Sequence, residues 1–244
     1  MRVAFAAILF ALVATAPAAA QEITLDMGEG GDFAERTIQL VVLLTLLSLV
    51  PGLLIMITCF PFIVTVLAIL RQASGLQQSP PNMLIVSLAL FLTYYVMDPV
   101  LTEAWQSGAR PLIDGEIEIE TAFLRALEPF RMFMAARVSP ETFAALAELR
   151  ADSDGSGVAE LGVEAPLSIL VPSFLLSEIA RAFEIGFLIF LPFLIIDLVV
   201  AAVLMSMGMM MVPPAIVSLP FKLAFFVVAD GWTLIAEALV RSYG

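Results

Sequence analysis

Three features of the sequence predict an all-α, membrane-associated fold: an excess of apolar residues, their gathering into long runs, and the prolines that cut those runs. Hydrophobic residues make up 61% of the 244 and the mean hydropathy is +1.03, well above the roughly 45–50% apolar share of a soluble domain. Such surface has to be covered by lipid or by a large protein partner. The expected architecture is a pair of broken apolar helical hairpins with a small acidic α-helical domain outside the cytoplasm. This length leaves room for a few membrane-length segments rather than a many-helix bundle.

Charge excludes one class of partner. The net charge is -12, and the 67 or so positions from Asp98 to Glu164 carry 13 acidic residues against 5 arginines, whereas the apolar runs are nearly neutral. Phosphate contacts need clustered Lys and Arg, and Lys222 is the single lysine, so no nucleic acid is expected as a ligand. Catalysis is also disfavoured. The chain has no histidine and Cys59 is its only cysteine, which removes the usual residues of zinc sites, haem ligation and Ser-His-Asp or Cys-His chemistry. No cofactor and no metal are expected.

Residues 1–20 read as a signal peptide. Arg2 precedes the apolar run Val3–Val13, and small residues follow up to Ala18-Ala19-Ala20 before Gln21, the pattern of a cleavable secretory signal with a hydrophobic stretch too short to span. An uncleaved first anchor is the alternative. Residues 21–36 then form an acidic tail, with five acids and one arginine, which cleavage of the signal would place in the periplasm, where a shortage of positive charge is permitted.

Residues 37–97 read as the first apolar hairpin. Pro51-Gly52 and Pro61 interrupt the run from Thr37 to Leu70, and each proline removes a helical hydrogen bond, so two or three kinked pieces are expected. A polar loop from Arg71 to Pro81 leads to an apolar helix from Asn82 to Met97, expected to stop at Asp98-Pro99. Arg71 favours a cytoplasmic tip.

Residues 98–165 read as the acidic extracytoplasmic domain. Phe123, Leu127, Phe130 and Met134 recur at helical spacing, and Ser139-Pro140-Glu141-Thr142 opens another helix, with Ser139 as N-cap and Pro140 at the first helical position. Asp152-Ser153-Asp154-Gly155-Ser156-Gly157 reads as a linker. Its Asp-x-Asp-Gly spacing hints at calcium, but the glutamate required by the calcium-loop template is missing.

Residues 166–244 read as the second apolar hairpin, folded at Pro213-Pro214. Glu178, Arg181 and Glu184 are three apart, so Arg181 can pair with either carboxylate, or all three can line a solvated face. Asp197, Lys222 and Asp230 each interrupt an apolar run, and charges buried there need a partner or water, which makes a functional or interface role the default. Helix-to-helix glue is the plainer alternative. Ser218 and Lys222 have the spacing of a Ser-Lys dyad, but Pro220 between them is expected to disturb the register. Met205, Met207, Met209, Met210 and Met211 crowd ahead of the Pro-Pro turn. Methionine is unbranched and repacks readily, so the cluster suits a deformable seal in a loop better than a rigid core.

These segments carry a specific resemblance. Leu49-Val50-Pro51-Gly52 through Cys59-Phe60-Pro61-Phe62 to Arg71, then Gln77-Gln78-Ser79-Pro80-Pro81-Asn82, resemble the first signature of the FliP family of the flagellar type III export gate. Pro172-Ser173-Phe174 through Glu178, Arg181 and Glu184 to Gly186, the methionine cluster with Pro213-Pro214, and Leu219-Pro220-Phe221-Lys222 are similar to the rest of it. The acidic middle matches only in kind.

The resemblance implies a helical ring of several copies, about five, joined by FliQ and FliR and working with FlhA and FlhB in the inner membrane of the flagellar basal body. Unfolded rod, hook and filament subunits would pass along its axis. It implies a gasket of Met209, Met210 and Met211, and more loosely Met205 and Met207, around the closed pore. It also implies an intersubunit salt bridge between Glu178 and Lys222; helical spacing then favours Arg181 pairing with Glu184, and Asp197 and Asp230 remain as charges buried in apolar runs. Much of the apolar material would stand above the bilayer, covered by neighbouring subunits rather than by lipid. The injectisome counterpart of virulence secretion is the nearest alternative, but a cleavable signal and a long acidic tail fit the flagellar branch better. A secondary transporter with a midplane ion site is the alternative of a different class.

Overall fold

The computed structural model describes residues 32–75, 80–154 and 158–243. The expected signal peptide and most of the acidic tail lie outside the described residues, as do positions 76–79 of the polar loop and 155–157 of the linker. Every regular element among the described residues is helical. The chain divides into two units, residues 1–48 and residues 49–244.

In the first unit the described element is the opening part of α1, Asp32–Met56, which continues into the second. Its described side chains are exposed, Ile38, Leu44 and Leu47 strongly so. Thr45 and Ser48 turn their hydroxyls back onto Val42 O and Thr45 O, at 2.8 and 2.7 Å, which satisfies them inside an apolar helix. Pro51 lies within α1 without ending it. The break comes at Ile57–Cys59, just ahead of Pro61, which occupies the first turn of α2, Phe60–Ala73, where its missing N–H costs no helical bond.

The second unit is built on α2 and on α7, Leu167–Ser206, which pack along one another. Phe62, Ile63, Val66, Leu67, Leu70 and Ala73 recur every three or four residues on α2 and are buried, so this short helix is a core element despite its apolar length. α7 presents Leu170, Ser173, Phe174, Ser177 and Ala182 to that core. Gly186 lets α2 approach closely, since a Cβ there would come within 2.4 Å of Ile69 Cδ1.

The expected helix end at Asp98-Pro99 is overturned. α3, Asn82–Ala104, runs straight through Asp98-Pro99 and continues as a π-helical turn at Trp105–Ala109 and the short α4, Arg110–Ile113. A proline forbids only one hydrogen bond, and neighbouring turns held by packing carry the helix past it. For the same reason α7 remains one helix of 40 residues through Pro172 and Pro192. At 1.5 Å per residue it is roughly 60 Å long, about twice the hydrocarbon thickness of a bilayer.

α5, Ile119–Arg137, and α6, Pro140–Asp154, lie on this framework, α5 against α3 and α7 and α6 against α7. The π turn meets α5 closely. A Cβ on Gly108 would lie 2.6 Å from Ala122 O, and Ser107 Oγ donates to Arg125 O at 3.1 Å. Ser139 caps α6 by accepting from Thr142 N–H at 3.3 Å. The helix reaches Asp154, so the first three residues of the expected linker are helical. After α7 come α8, Pro214–Val228, and α9, Gly231–Arg241, bent from each other by 61°. Among the described residues three helices are long and apolar enough to cross a membrane, Arg36–Met56, Asn82–Ile113 and Leu167–Ser206, or up to four if the bent pair is one span.

Candidate functional site

Glu178 lies on the buried face of α7, one position past Ser177, and is fully buried. Its Oε1 accepts from Arg137 Nε at 3.2 Å and from Arg181 Nη1 at 3.1 Å, and its Oε2 accepts from the Tyr243 hydroxyl. Two guanidiniums and a phenol take the place of the water lost on burial, which offsets much of its cost. Arg137 ends α5. Its Nη1 donates to Ser242 O at 2.6 Å and its guanidinium lies 3.9 Å above the Tyr243 ring. Arg181 Nη2 reaches Arg137 O at 3.4 Å, an otherwise orphaned helix-end carbonyl. Burial, and then the charge of Glu178, push the Tyr243 phenol far above its ordinary pKa, so it stays a donor at all physiological pH.

The second cluster lies between α7 and α8. Lys222 Nζ is 2.7 Å from Asp197 Oδ2 and donates to Ala73 O at 3.3 Å, while Ser218 Oγ donates to Asp197 Oδ1 at 2.5 Å. The Lys222 side chain is 7% exposed and that of Asp197 32%. The pair therefore opens to the outside on its acidic side. Pro220 does not throw Ser218 and Lys222 out of register, because α8 continues through it and both side chains converge on Asp197.

The structure places each of the charges expected from the sequence, and it pairs Arg181 differently. Within the chain Glu178 and Lys222 stand apart, each buried with partners of its own, Glu178 with Arg137 and Arg181 and Lys222 with Asp197. Arg181 pairs with Glu178, one turn earlier on the core side of α7, and not with the exposed Glu184. The choice follows burial, since an unpartnered Glu178 would be far costlier than a solvated Glu184. Within the chain Asp197 is partly buried and Asp230 is exposed. It stands in the turn between α8 and α9 with left-handed backbone, φ 47°, and accepts from Thr233 Oγ1 at 3.1 Å.

Sequence reading missed Arg137 and Tyr243. Arg137 falls seven residues after Phe130 and three after Met134, both buried, and that spacing placed it on the core face of α5. Tyr243 gave no local signal, because its partners come from α2, α5 and α7.

The methionines close α7 in a Schellman turn. Gly208 has φ 76°, its N–H donates to Met205 O at 3.1 Å, and Met209 N–H donates to Leu204 O at 3.0 Å. Met205 and Met207 are exposed, and Met210 and Met211 are 84% and 98% exposed. Met209 is the most covered, and it lines with Met207 an apolar cavity of about 530 Å³ between α7 and α8. No group of three or more His, Cys, Asp or Glu that could hold a metal is found among the described residues.

Comparison with known proteins is specific. A relative from Caulobacter vibrioides, a flagellar biosynthetic protein FliP, is 49% identical over 238 residues, covering 98% of this chain and 88% of its own. Proteins of the same name from Bacillus subtilis and Aquifex aeolicus are each 44% identical, the first over 85% of this chain and 92% of its own, the second over 91% of both. The family model described as FliP matches residues 43–239, a span that contains the Glu178 cluster's α5 and α7 groups, the Asp197–Lys222 pair and the methionine turn. This chain belongs to the FliP family.

Proposed function

We propose that this chain is a pore-forming subunit of the flagellar type III protein export gate in the bacterial inner membrane, and that it acts by assembly rather than by catalysis. Several copies, with FliQ and FliR, enclose an axis along which unfolded rod, hook and filament subunits leave the cytoplasm, and FlhA and FlhB serve the same gate. The acidic helical layer of α5 and α6 lies on the periplasmic side. Relatives named as flagellar biosynthetic proteins support this reading, as does apolar surface too extensive for a protein that stays alone in water.

The observation that carries the pore role is the methionine turn. A glycine-dependent Schellman turn holds Met210 and Met211 almost wholly clear of the chain's own core. Long, unbranched, polarisable side chains displayed from a fixed turn can pack against their copies around an axis and yield when a polypeptide passes. A monomer has no use for them there. The gasket therefore comprises Met209, Met210 and Met211, with Met205 and Met207 backing it.

The test is to extract the chain from membranes in mild detergent and to weigh the complex by native mass spectrometry. A multi-copy assembly that contains FliQ and FliR is expected. A stable single chain that binds a small solute would instead favour a transporter and overturn the reading.

A further inference from the structure

Helix α9 is bounded by two features that set it apart from the rest of the chain. At its start, Asp230 is the one non-glycine residue with positive φ among the described residues, and the chain bends there by 61°. Gly231 follows where an added Cβ would meet the Phe226 ring at 2.2 Å, so this corner accepts no larger residue without moving the ring. At its end, Ser242 and Tyr243 reach three helices at once. Tyr243 stacks on Phe133 of α5 at 6.0 Å between ring centroids and meets Phe62 of α2 edge-on at 5.5 Å. Its hydroxyl goes to Glu178 of α7, and the Ser242 carbonyl goes to Arg137 of α5.

Between its ends α9 is seated more loosely. Beyond Gly231 only Ile235 and Leu239 of its 11 residues are buried. An open groove of about 780 Å³ runs between it and α3, lined by Leu88, Leu92 and Tyr95 on one wall and Trp232, Ala236 and Val240 on the other. The helix is thus held at its two ends more firmly than along its length.

We propose that α9 is a strap, hinged at Asp230-Gly231 and clasped by Ser242-Tyr243, whose docking locks α5 against α7 and whose release opens the Glu178 cluster to water. The clasp supplies what the cluster lacks. Without Tyr243, Glu178 Oε2 loses its donor; without Ser242, Arg137 Nη1 loses its acceptor, and Arg137 Nη2 is already buried with no partner. Buried groups so stripped require water, so release of the strap and hydration of the α5–α7 junction are one event. Local opening of this kind belongs to segments with few buried contacts along their length.

Cys59 reports on it. The thiol is fully buried ahead of α2, three residues from Phe62, against which the clasp packs. The experiment measures the rate of N-ethylmaleimide alkylation of Cys59 in the full-length chain in detergent micelles, at low and rising urea. Tyr243→Ala is expected to label at least tenfold faster than the parent, at a rate that stays flat in low urea, the mark of a local opening that exposes little surface. Tyr243→Phe keeps the ring contacts and loses only the hydroxyl, and an increase of a few-fold is expected. It decides the matter if the alanine variant does not elute as a folded species. Tyr94→Ala, at an exposed position, is expected to match the parent. Parental rates in both Tyr243 variants would overturn the strap, and so would acceleration that rises steeply with urea from the start, since Tyr243 would then be part of the globally folded core.

Discussion

Which carboxylate holds Lys222 can be decided by double-mutant cycles. The perturbations are Lys222→Met, which keeps the stem and removes the charge, combined in turn with Asp197→Asn and with Glu178→Gln. Two unit charges 2.7 Å apart, the Lys222–Asp197 separation, attract by about 6 kcal/mol at an effective dielectric of ~20 and about 1.5 kcal/mol in water. Asp197 is about one-third exposed, so the pair lies between these limits, and a coupling of about 2–3 kcal/mol is expected once desolvation is set against attraction. Glu178 is saturated by Arg137, Arg181 and Tyr243, so its coupling to Lys222 should stay below about 0.5 kcal/mol, the level found for separate sites. Each single substitution and each pair would be unfolded reversibly in mixed micelles of a mild detergent and dodecyl sulfate. A Glu178–Lys222 coupling equal to or larger than that of Asp197–Lys222 would refute the assignment.

Three further outcomes are expected. Replacing Met209, Met210 and Met211 together by alanine should leave the complex assembled and make cells permeable to small ions, measured by conductance or solute uptake; tight cells with an intact complex would remove the gasket. Gly108→Ala should destabilise by about 2–3 kcal/mol through overpacking, because the new Cβ meets Ala122 backbone at 2.6 Å, whereas Gly186→Ala should cost less because its nearest obstacle is the end of the Ile69 side chain; thermal unfolding ranks the two, and the reverse order would contradict the packing. Glu141 accepts from Ser139 Oγ at 2.6 Å, which holds its carboxyl below the ordinary value of 4.5. With the folded pKa depressed, the small stabilisation it lends the start of α6 is present above 4.5 and lost as pH falls through the folded value; a carbon-detected titration should show Glu141 moving up toward 4.5 in Ser139→Ala, and an unchanged midpoint would mean that the hydroxyl does not matter.

Much of this protein could be read from its residues in order, because the properties concerned are local or additive. The apolar excess, the Ser139 cap, the α7–α8 turn at Gly208 with Pro213-Pro214, and the crowding of methionines there all depend on a few neighbouring residues or on composition. The family signature is local in the same sense, being carried by contiguous runs around Pro61, Glu178 and Lys222. Prolines were the exception among local signals. Pro51 and Pro99 were expected to interrupt their helices, yet α1 and α3 pass through them, because the turns on either side hold the helix past the lost bond.

The pairing of charges belonged to the tertiary structure alone. From spacing, Arg181 could have chosen Glu178 or Glu184, and Lys222 any carboxylate in the apolar half. Folding decided by burial: the carboxylate that α7 turns fully inward had to collect Arg137 from 41 residues away and Tyr243 from 65, leaving Glu184 to solvent. Asp197, meeting Lys222 across the α7–α8 hairpin, took the lysine. Sequence shows which groups cannot be left alone in an apolar setting; which partner each obtains depends on helices brought side by side from distant parts of the chain, since electrostatic attraction at a few ångströms acts through space and takes no account of sequence separation.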